Sequence, residues 1–279
     1  MTLIQAILLG IIQGLTEFLP VSSSGHLVLG EALLGITTEY KDAMGVAFEV
    51  FVHFGTLIAV VTVYWQDVLN LIKAFFSIFS LKREITLEQK YHKDADFRMM
   101  VLILLGSLPA GIIGIALKSV IEDAFTSPLL VCFTLILTGL ILLSTRFFLK
   151  EDSTLNMSNS LAVGFAQAFA IIPGISRSGS TISLGMFLGL ERENAAKFSF
   201  LLSIPVIAGA TVLATKDILV NPPSSDMILN LAAGTIVSYL SGVLAIKFLL
   251  KVVKKGSFDK FSYYCFAVGI IGIIWLAVL

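Results

Sequence analysis

Charge is what this chain has least of. Only 14% of its 279 residues are Asp, Glu, Lys or Arg, and 19 basic side chains cancel 19 acidic ones. A neutral chain so poor in cations lacks the electrostatic footprint of a nucleic-acid binder, which excludes that partner class. Cysteine is nearly absent as well. Cys132 and Cys265 both fall in apolar runs, where a free thiol packs as a small hydrophobe, and no disulfide is expected. With three histidines in the chain there is no His/Cys cluster at zinc spacing. The first ten residues, Met1 to Gly10, carry no basic n-region, and a polar cluster follows where a signal sequence would end, so no cleaved signal is expected.

What the chain has in quantity is apolar length. It is 57% hydrophobic, with a mean hydropathy of +0.94, far above a soluble domain. Six runs approach the ~20 residues that a spanning helix needs, at about 45–65, 98–118, 127–148, 196–214, 227–248 and 262–279. Two further apolar regions, about 1–35 and 160–190, are interrupted by Ser, Gly and Pro. Each half is too short to cross ~30 Å at 1.5 Å per residue. Irregular backbone at membrane depth survives only inside protein or beside a wet cavity, so both regions are expected to be re-entrant helix–loop–helix segments. The expected fold class is an all-α integral membrane protein, a single membrane domain over 1–279 with six spans and two re-entrant segments.

Charge placement agrees with that plan. The lysines at 247, 251, 254, 255 and 260 require a cytoplasmic loop. Fifteen of the 19 Lys and Arg residues then face the cytoplasm, Lys41, Lys118 and Lys216 face outward, and Arg177 stays within the membrane. Both termini lie outside in this register; an eight-span reading would shift the N-terminal segments. A repeat organises the chain further. At a constant offset of 154, Gly10 matches Gly164, Gln13 matches Gln167, Ser22 matches Ser176, Ser24 matches Ser178, and Gly25 matches Gly179. Leu34 and Gly35 likewise match Leu188 and Gly189. The first broken region enters from outside and the second from the cytoplasm. The halves, about 1–118 and 127–279, therefore form an inverted-topology repeat, with a site expected where the broken helices meet.

The polar residues of the two interruptions carry chemistry. Pro173-Gly174-Ile175-Ser176-Arg177-Ser178-Gly179-Ser180-Thr181 is a poor spanning helix and a good anion cradle, because guanidinium, hydroxyls and unpaired N–H groups all donate to phosphate-like oxygens. Arginine near the bilayer centre costs roughly 2.5–3.5 kcal/mol on insertion scales, so Arg177 is a functional candidate. In the first interruption Gln13 and Glu17 share a helix face. Pro20 and Gly25 bracket the hydroxyls of Ser22, Ser23 and Ser24, and His26 follows at the start of a half-helix whose N–H groups can hold an anion. Glu49 and His53, again four apart, lie at the outer end of the first full span. Glu49 is a candidate metal ligand or partner of Arg177; a lone helical His53 reads more simply as packed or water-facing. Together these groups describe phosphoryl transfer. Arg177 binds a phosphate, Ser22, Ser24, Ser176, Ser178 and Thr181 hydrogen-bond it, and Ser23, His26 or water attacks with Glu17 or His26 as base. Oxygen ligands such as Glu17 and Glu49 favour a hard divalent cation, Mg²⁺ or Ca²⁺, over zinc.

With these residues in view, the chain resembles the bacterial undecaprenyl-pyrophosphate phosphatases of the bacitracin-resistance family over essentially its whole length. The family's first motif matches Gln13 to Glu17 and Pro20 to His26. Its second, Pro-Gly-x-Ser-Arg-Ser-x-x-Thr, matches Pro173 to Thr181. The resemblance implies hydrolysis of the terminal phosphate of a C55 lipid pyrophosphate in the inner (plasma) membrane, recycling the carrier for peptidoglycan synthesis. It also implies a divalent cation, bacitracin resistance and a site opening outward to the periplasmic side. Glu17, Ser23, His26, Ser176, Arg177 and Thr181 are its expected functional residues. Gln13 is the weaker option at its position, and His53 stands where relatives are expected to have Gln, so no role transfers to it. The partners so implied are the polyprenyl pyrophosphate and membrane lipid, with the oligomer open between monomer and homodimer.

Two rivals are weighed against this reading. A secondary transporter or lipid flippase shares the inverted-repeat plan, and Arg177 would then hold an anionic cargo uncleaved. A phosphatidic-acid-type phosphatase needs a second histidine beyond its Ser-Arg motif, and no histidine follows Arg177.

Overall fold

A computed structural model describes residues 1–36, 46–79, 86–147, 151–220 and 225–278. Lys41 and the side chain of Lys216, both used in the charge count, lie outside what is described. The described residues are all-helical, with a single isolated β-bridge between Ser153 and Leu190.

The first helix, α1 (Leu3–Phe18), starts at a capping box in which Thr2 and Gln5 satisfy each other's backbone N–H groups. Pro20 cannot continue it, and after a short tip the chain reverses into α2 (Ser23–Leu33). The second broken region folds likewise, into α9 (Met157–Phe169) and α10 (Arg177–Phe187), with Pro173 and Gly174 in the tip. Neither hairpin contains a helix of spanning length.

Between and after the hairpins run α3 (Val46–Val63), α4 (Trp65–Phe76), α5 (Leu87–Lys93), α6 (Ala95–Ala116), α7 (Lys118–Phe125) and α8 (Pro128–Ser144), then α11 (Arg192–Val220), α12 (Ser225–Lys254) and α13 (Phe261–Val278). Five segments are long and apolar enough to cross a membrane: Ala95–Ala116, Pro128–Phe147, Arg192–Leu213, Met227–Lys254 and Phe258–Val278. The pair α3 and α4, bent by 90° at Tyr64, makes a sixth only if the two are taken as one broken span. The chain is a multi-pass helical membrane protein. The five long spans fall on the apolar runs expected at about 98–118, 127–148, 196–214, 227–248 and 262–279. The bend turns α4 aside with Trp65, Ile72 and Phe76 exposed, while Asp67 pairs with Lys197 of α11 at 2.6 Å.

Packing follows a regular exchange. Helix α1 lies against α12, and α9 lies against α6; α12 also packs on α3, as α6 does on α11. Helices α3 and α11 meet each other, as do α8 and α13. Two crossings are glycine on glycine. A Cβ at Gly10 would sit 2.7 Å from the carbonyl oxygen of Gly234, and one at Gly164 would collide with that of Gly106. Small residues at such crossings let backbones approach, which is how helices associate without a hydrophobic drive between them. These two contacts carry both hairpins into the body of the protein, where Phe18, Phe198, Phe200 and Leu201 are buried.

Gly10→Ala and Gly164→Ala are expected to cost about 1–3 kcal/mol each by forcing the helices apart. Gly111, in α6, faces open space, and Gly111→Ala should be neutral or stabilising by up to ~1 kcal/mol. Thermal unfolding of the purified variants in detergent checks the contrast.

Candidate active site

The two tips meet, and each is built by a serine N-cap. Ser22 Oγ accepts from Gly25 N at 3.3 Å, and Ser176 Oγ accepts from Gly179 N at 3.0 Å. Each capping serine also bonds the hydroxyl two residues on, Ser24 at 3.2 Å and Ser178 at 3.3 Å. The first residue of α2 is therefore Ser23 and the first of α10 is Arg177, at matching places 154 residues apart.

Both converge on Glu17, at the end of α1. Glu17 Oε1 accepts from Arg177 Nη2 at 2.8 Å, and Oε2 accepts from Ser23 Oγ at 2.6 Å and from Gln13 Nε2 at 3.0 Å. The Glu17 side chain is 7% exposed and that of Arg177 is 16% exposed. In such surroundings each charge depends on the other, because removing one would leave the second uncompensated. Arg177 Nη1 donates to the Ser199 carbonyl at 3.3 Å, which leaves part of its donor fork free for a ligand. His53 Nδ1 is bonded to the Glu49 carbonyl at 2.7 Å, and its Nε2 lies 3.8 Å from Glu17 Oε2.

Over this cluster lies a cavity of about 360 Å³. Its polar end holds Glu17, Ser22, Ser23, Ser24, Ser176 and Arg177, with Glu49 and His53 on α3. The rest of its lining is mainly apolar, with Phe125, Ala170, Ile171, Val206, Ile207 and Ala210 beside the polar Gln167, Ser203 and Thr211. A lining that joins a charged cluster to hydrocarbon is the surface expected to receive an amphiphile with an anionic head.

Three residues expected in the site lie elsewhere. Ser178 is fully buried and reaches Leu19 O at 3.2 Å, tying the tips together. Thr181 donates to Arg177 O at 2.8 Å and meets Ser199 Oγ at 2.6 Å, so it steadies the arginine's backbone. His26 turns away from Ser23, whose hydroxyl is bonded to Glu17 instead. A carbonyl only accepts, so the 2.8 Å bond between His26 Nδ1 and Ser22 O puts a proton on Nδ1. In the neutral ring Nε2 then accepts from Tyr264 OH at 2.9 Å, with the two rings stacked. The bond to Ser22 holds the one non-glycine residue with positive φ among the described residues, Ser22 at φ 70°. Such backbone costs roughly 1–3 kcal/mol and persists only when its surroundings enforce it.

Sequence reasoning also passed over several residues. Thr134 and Thr138, one turn apart on α8, grip the second tip. Thr134 donates to Pro173 O at 2.6 Å; Thr138 donates to Gly174 O at 2.8 Å and accepts from Ser176 N at 3.0 Å. A polar pair at i, i+4 in the apolar run 127–148 was the available signal. Gly174 has φ +87° and presses on Val131 O, so only glycine fits there. Tyr264 and Ser199 had no signal, since a lone hydroxyl in a spanning helix is ordinary.

Comparison with known proteins fits this arrangement. The family model described as Bacitracin resistance protein BacA matches residues 6–271. The chain belongs to the BacA family. It is 45% identical over 282 residues to an undecaprenyl-diphosphatase of Methanosphaera stadtmanae, covering 99% of both chains. It is 42% identical over 276 residues to one from Salinibacter ruber, covering 99% of this chain and 100% of that one. Likeness to the undecaprenyl-diphosphatase of Halothermothrix orenii is 45% over 277 residues, or 98% of each.

Thr138→Val removes the hydroxyl that serves both Gly174 O and Ser176 N while keeping the side-chain shape. It should lower stability by about 1–3 kcal/mol by leaving buried backbone groups unpaired. Denaturation in detergent measures this, with Thr145→Val as the control, since Thr145 bonds only Leu142 O of its own helix.

Proposed function

We propose that this protein hydrolyses undecaprenyl pyrophosphate to undecaprenyl phosphate and inorganic phosphate, using the Glu17–Ser23–Arg177 cluster. The reading is carried by one observation, a buried carboxylate bonded at once to a serine hydroxyl and a guanidinium in a cavity lined largely by hydrocarbon. Family membership, and relatives named undecaprenyl-diphosphatases, support it. The lipid carrier so regenerated serves peptidoglycan synthesis, and its supply underlies bacitracin resistance.

In the proposed mechanism Arg177 binds the terminal phosphate with the donors Glu17 leaves free, while Ser22, Ser24 and Ser176 hydrogen-bond its oxygens. Glu17 Oε2 takes the proton of Ser23 Oγ along the existing 2.6 Å bond. Ser23 Oγ attacks the terminal phosphorus, and the bond to the bridging oxygen breaks, releasing the lipid monophosphate. The Glu17 proton leaves with the lipid monophosphate. The restored carboxylate then takes a proton from the water that attacks the phosphoserine phosphorus. The bond to Ser23 Oγ breaks, and Glu17 returns that proton to Oγ as inorganic phosphate is freed. His26 acts by holding Ser22, and so Ser23, in place.

A divalent cation, Mg²⁺ or Ca²⁺, also belongs to this reading. Among the described residues no group of three or more His, Cys, Asp or Glu is arranged to cage a metal. Oxygen donors are nonetheless at hand in Glu17 and Glu49, which both line the cavity. That set fits a hard ion held by one or two carboxylates together with substrate phosphates, where it supplies neutralisation of phosphate charge.

The membrane arrangement we propose is six spans and two re-entrant hairpins as an inverted repeat, with both termini outside. The exchanged packing of α1 on α12 and α9 on α6 supports it, as do the matching serine caps. With the lysine-rich loop after α12 in the cytoplasm, Phe125, Glu49 and Ala210 lie toward the outer ends of their segments. The cavity then opens to the periplasmic side, and the prenyl chain leaves along the wall of Ile171, Val206 and Ile207.

Purified protein in detergent is expected to release phosphate from undecaprenyl pyrophosphate with Mg²⁺ or Ca²⁺ and to lose activity in EDTA. Ser23→Ala should lower kcat by about 10²–10⁴-fold with folding retained. Near-normal turnover in that variant would rule the serine out as nucleophile.

A further inference from the structure

The matching hairpins share a glutamine but surround it differently. Gln13 and Gln167 stand 154 residues apart, each nine residues before its capping serine. Gln13 Nε2 donates to Glu17, one turn on. The counterpart of Glu17 in the second hairpin is Ile171, so Gln167 has no carboxylate to meet. Gln167 is 1% exposed, and neither Nε2 nor Oε1 has a hydrogen-bond partner among the described residues. A buried carboxamide with both atoms unpaired is rare because it is costly, and it calls for an explanation. Gln167 also lines the cavity, one turn of α9 before Ala170 and Ile171 of the apolar wall. It therefore offers an unpaired carboxamide to the cavity from outside the Glu17–Ser23–Arg177 cluster and beside apolar lining residues, a position suited to an amphiphile's head where it joins the tail.

We propose that Gln167 binds the lipid-side phosphate of the pyrophosphate, its Nε2–H donating to the phosphate that stays on the product while Arg177 and Ser23 engage the terminal one. The inference rests on the hydrolase reading above. It makes Gln167 a substrate-binding residue, one that sets which phosphorus faces the serine. Because this contact is made before and during reaction, its loss raises KM more than it lowers kcat.

The test compares wild type, Gln167→Leu and Gln167→Glu in phosphate release from undecaprenyl pyrophosphate, with thermal unfolding of each. Gln167→Leu should melt at or above wild type, since it removes an unpaired buried amide, while KM rises about tenfold or more. Gln167→Glu keeps the shape, sets a carboxylate against the phosphate and should raise KM further. Unchanged KM in both variants overturns the inference, and so does a lower melting temperature in Gln167→Leu with KM unchanged. Wild type that releases no phosphate would sink the hydrolase reading instead. Binding would then be read from the rise in melting temperature given by a polyprenyl methylenediphosphonate, which must be present in wild type and lost in Gln167→Leu for the inference to stand.

Discussion

The carboxylate of Glu17 is the fastening on which the site depends. One oxygen holds Arg177 from the second hairpin, and the other holds Ser23 from the first. An arginine set among apolar helices needs a counter-charge. Glu17 supplies one that also orders the serine, so neutralisation and alignment come from the same group. The hairpins cannot separate without breaking a buried ion pair, which costs far more than an exposed one. Fold and chemistry are thus coupled at a single side chain.

The rest of the architecture brings that carboxylate to the place where the tips cross. Glycine crossings at Gly10 and Gly164 sink α1 and α9 against their neighbours. Thr134 and Thr138 fix the second tip from α8, while His26 and Tyr264 brace the strained Ser22 of the first. The two tips use the same serine cap but different outer supports, and the difference matches their tasks. The second presents a guanidinium from backbone locked by glycine; the first presents a hydroxyl from backbone held under strain.

Much of this was legible in the sequence because the bilayer narrows the choices. Apolar runs of spanning length, and two runs broken by Ser, Gly and Pro, gave the helices almost as they stand. The offset of 154 sets Ser23 and Arg177 at matching positions. Glu17 and Arg177 were marked by the cost of charge in an apolar setting. What could not be read was direction. His26 and Ser23 are three residues apart on α2, but His26 bonds the Ser22 carbonyl and Tyr264, 238 residues away, while Ser23 bonds Glu17. Ser178 and Thr181 sit in the motif as expected, yet the helix turns them inward to hold the tip. His53 carried no role in the sequence and lies 3.8 Å from Glu17, because α3 packs beside α1.

The most direct test of the Glu17 fastening is a double-mutant cycle on phosphate release, with Glu17→Gln, Arg177→Gln and the double variant. If one carboxylate serves both arginine and serine, either single change disables the site and the double variant is little worse, a coupling of about 0.5–3 kcal/mol or more. Losses that simply add would contradict the account, since they would mean that Glu17 and Arg177 act independently.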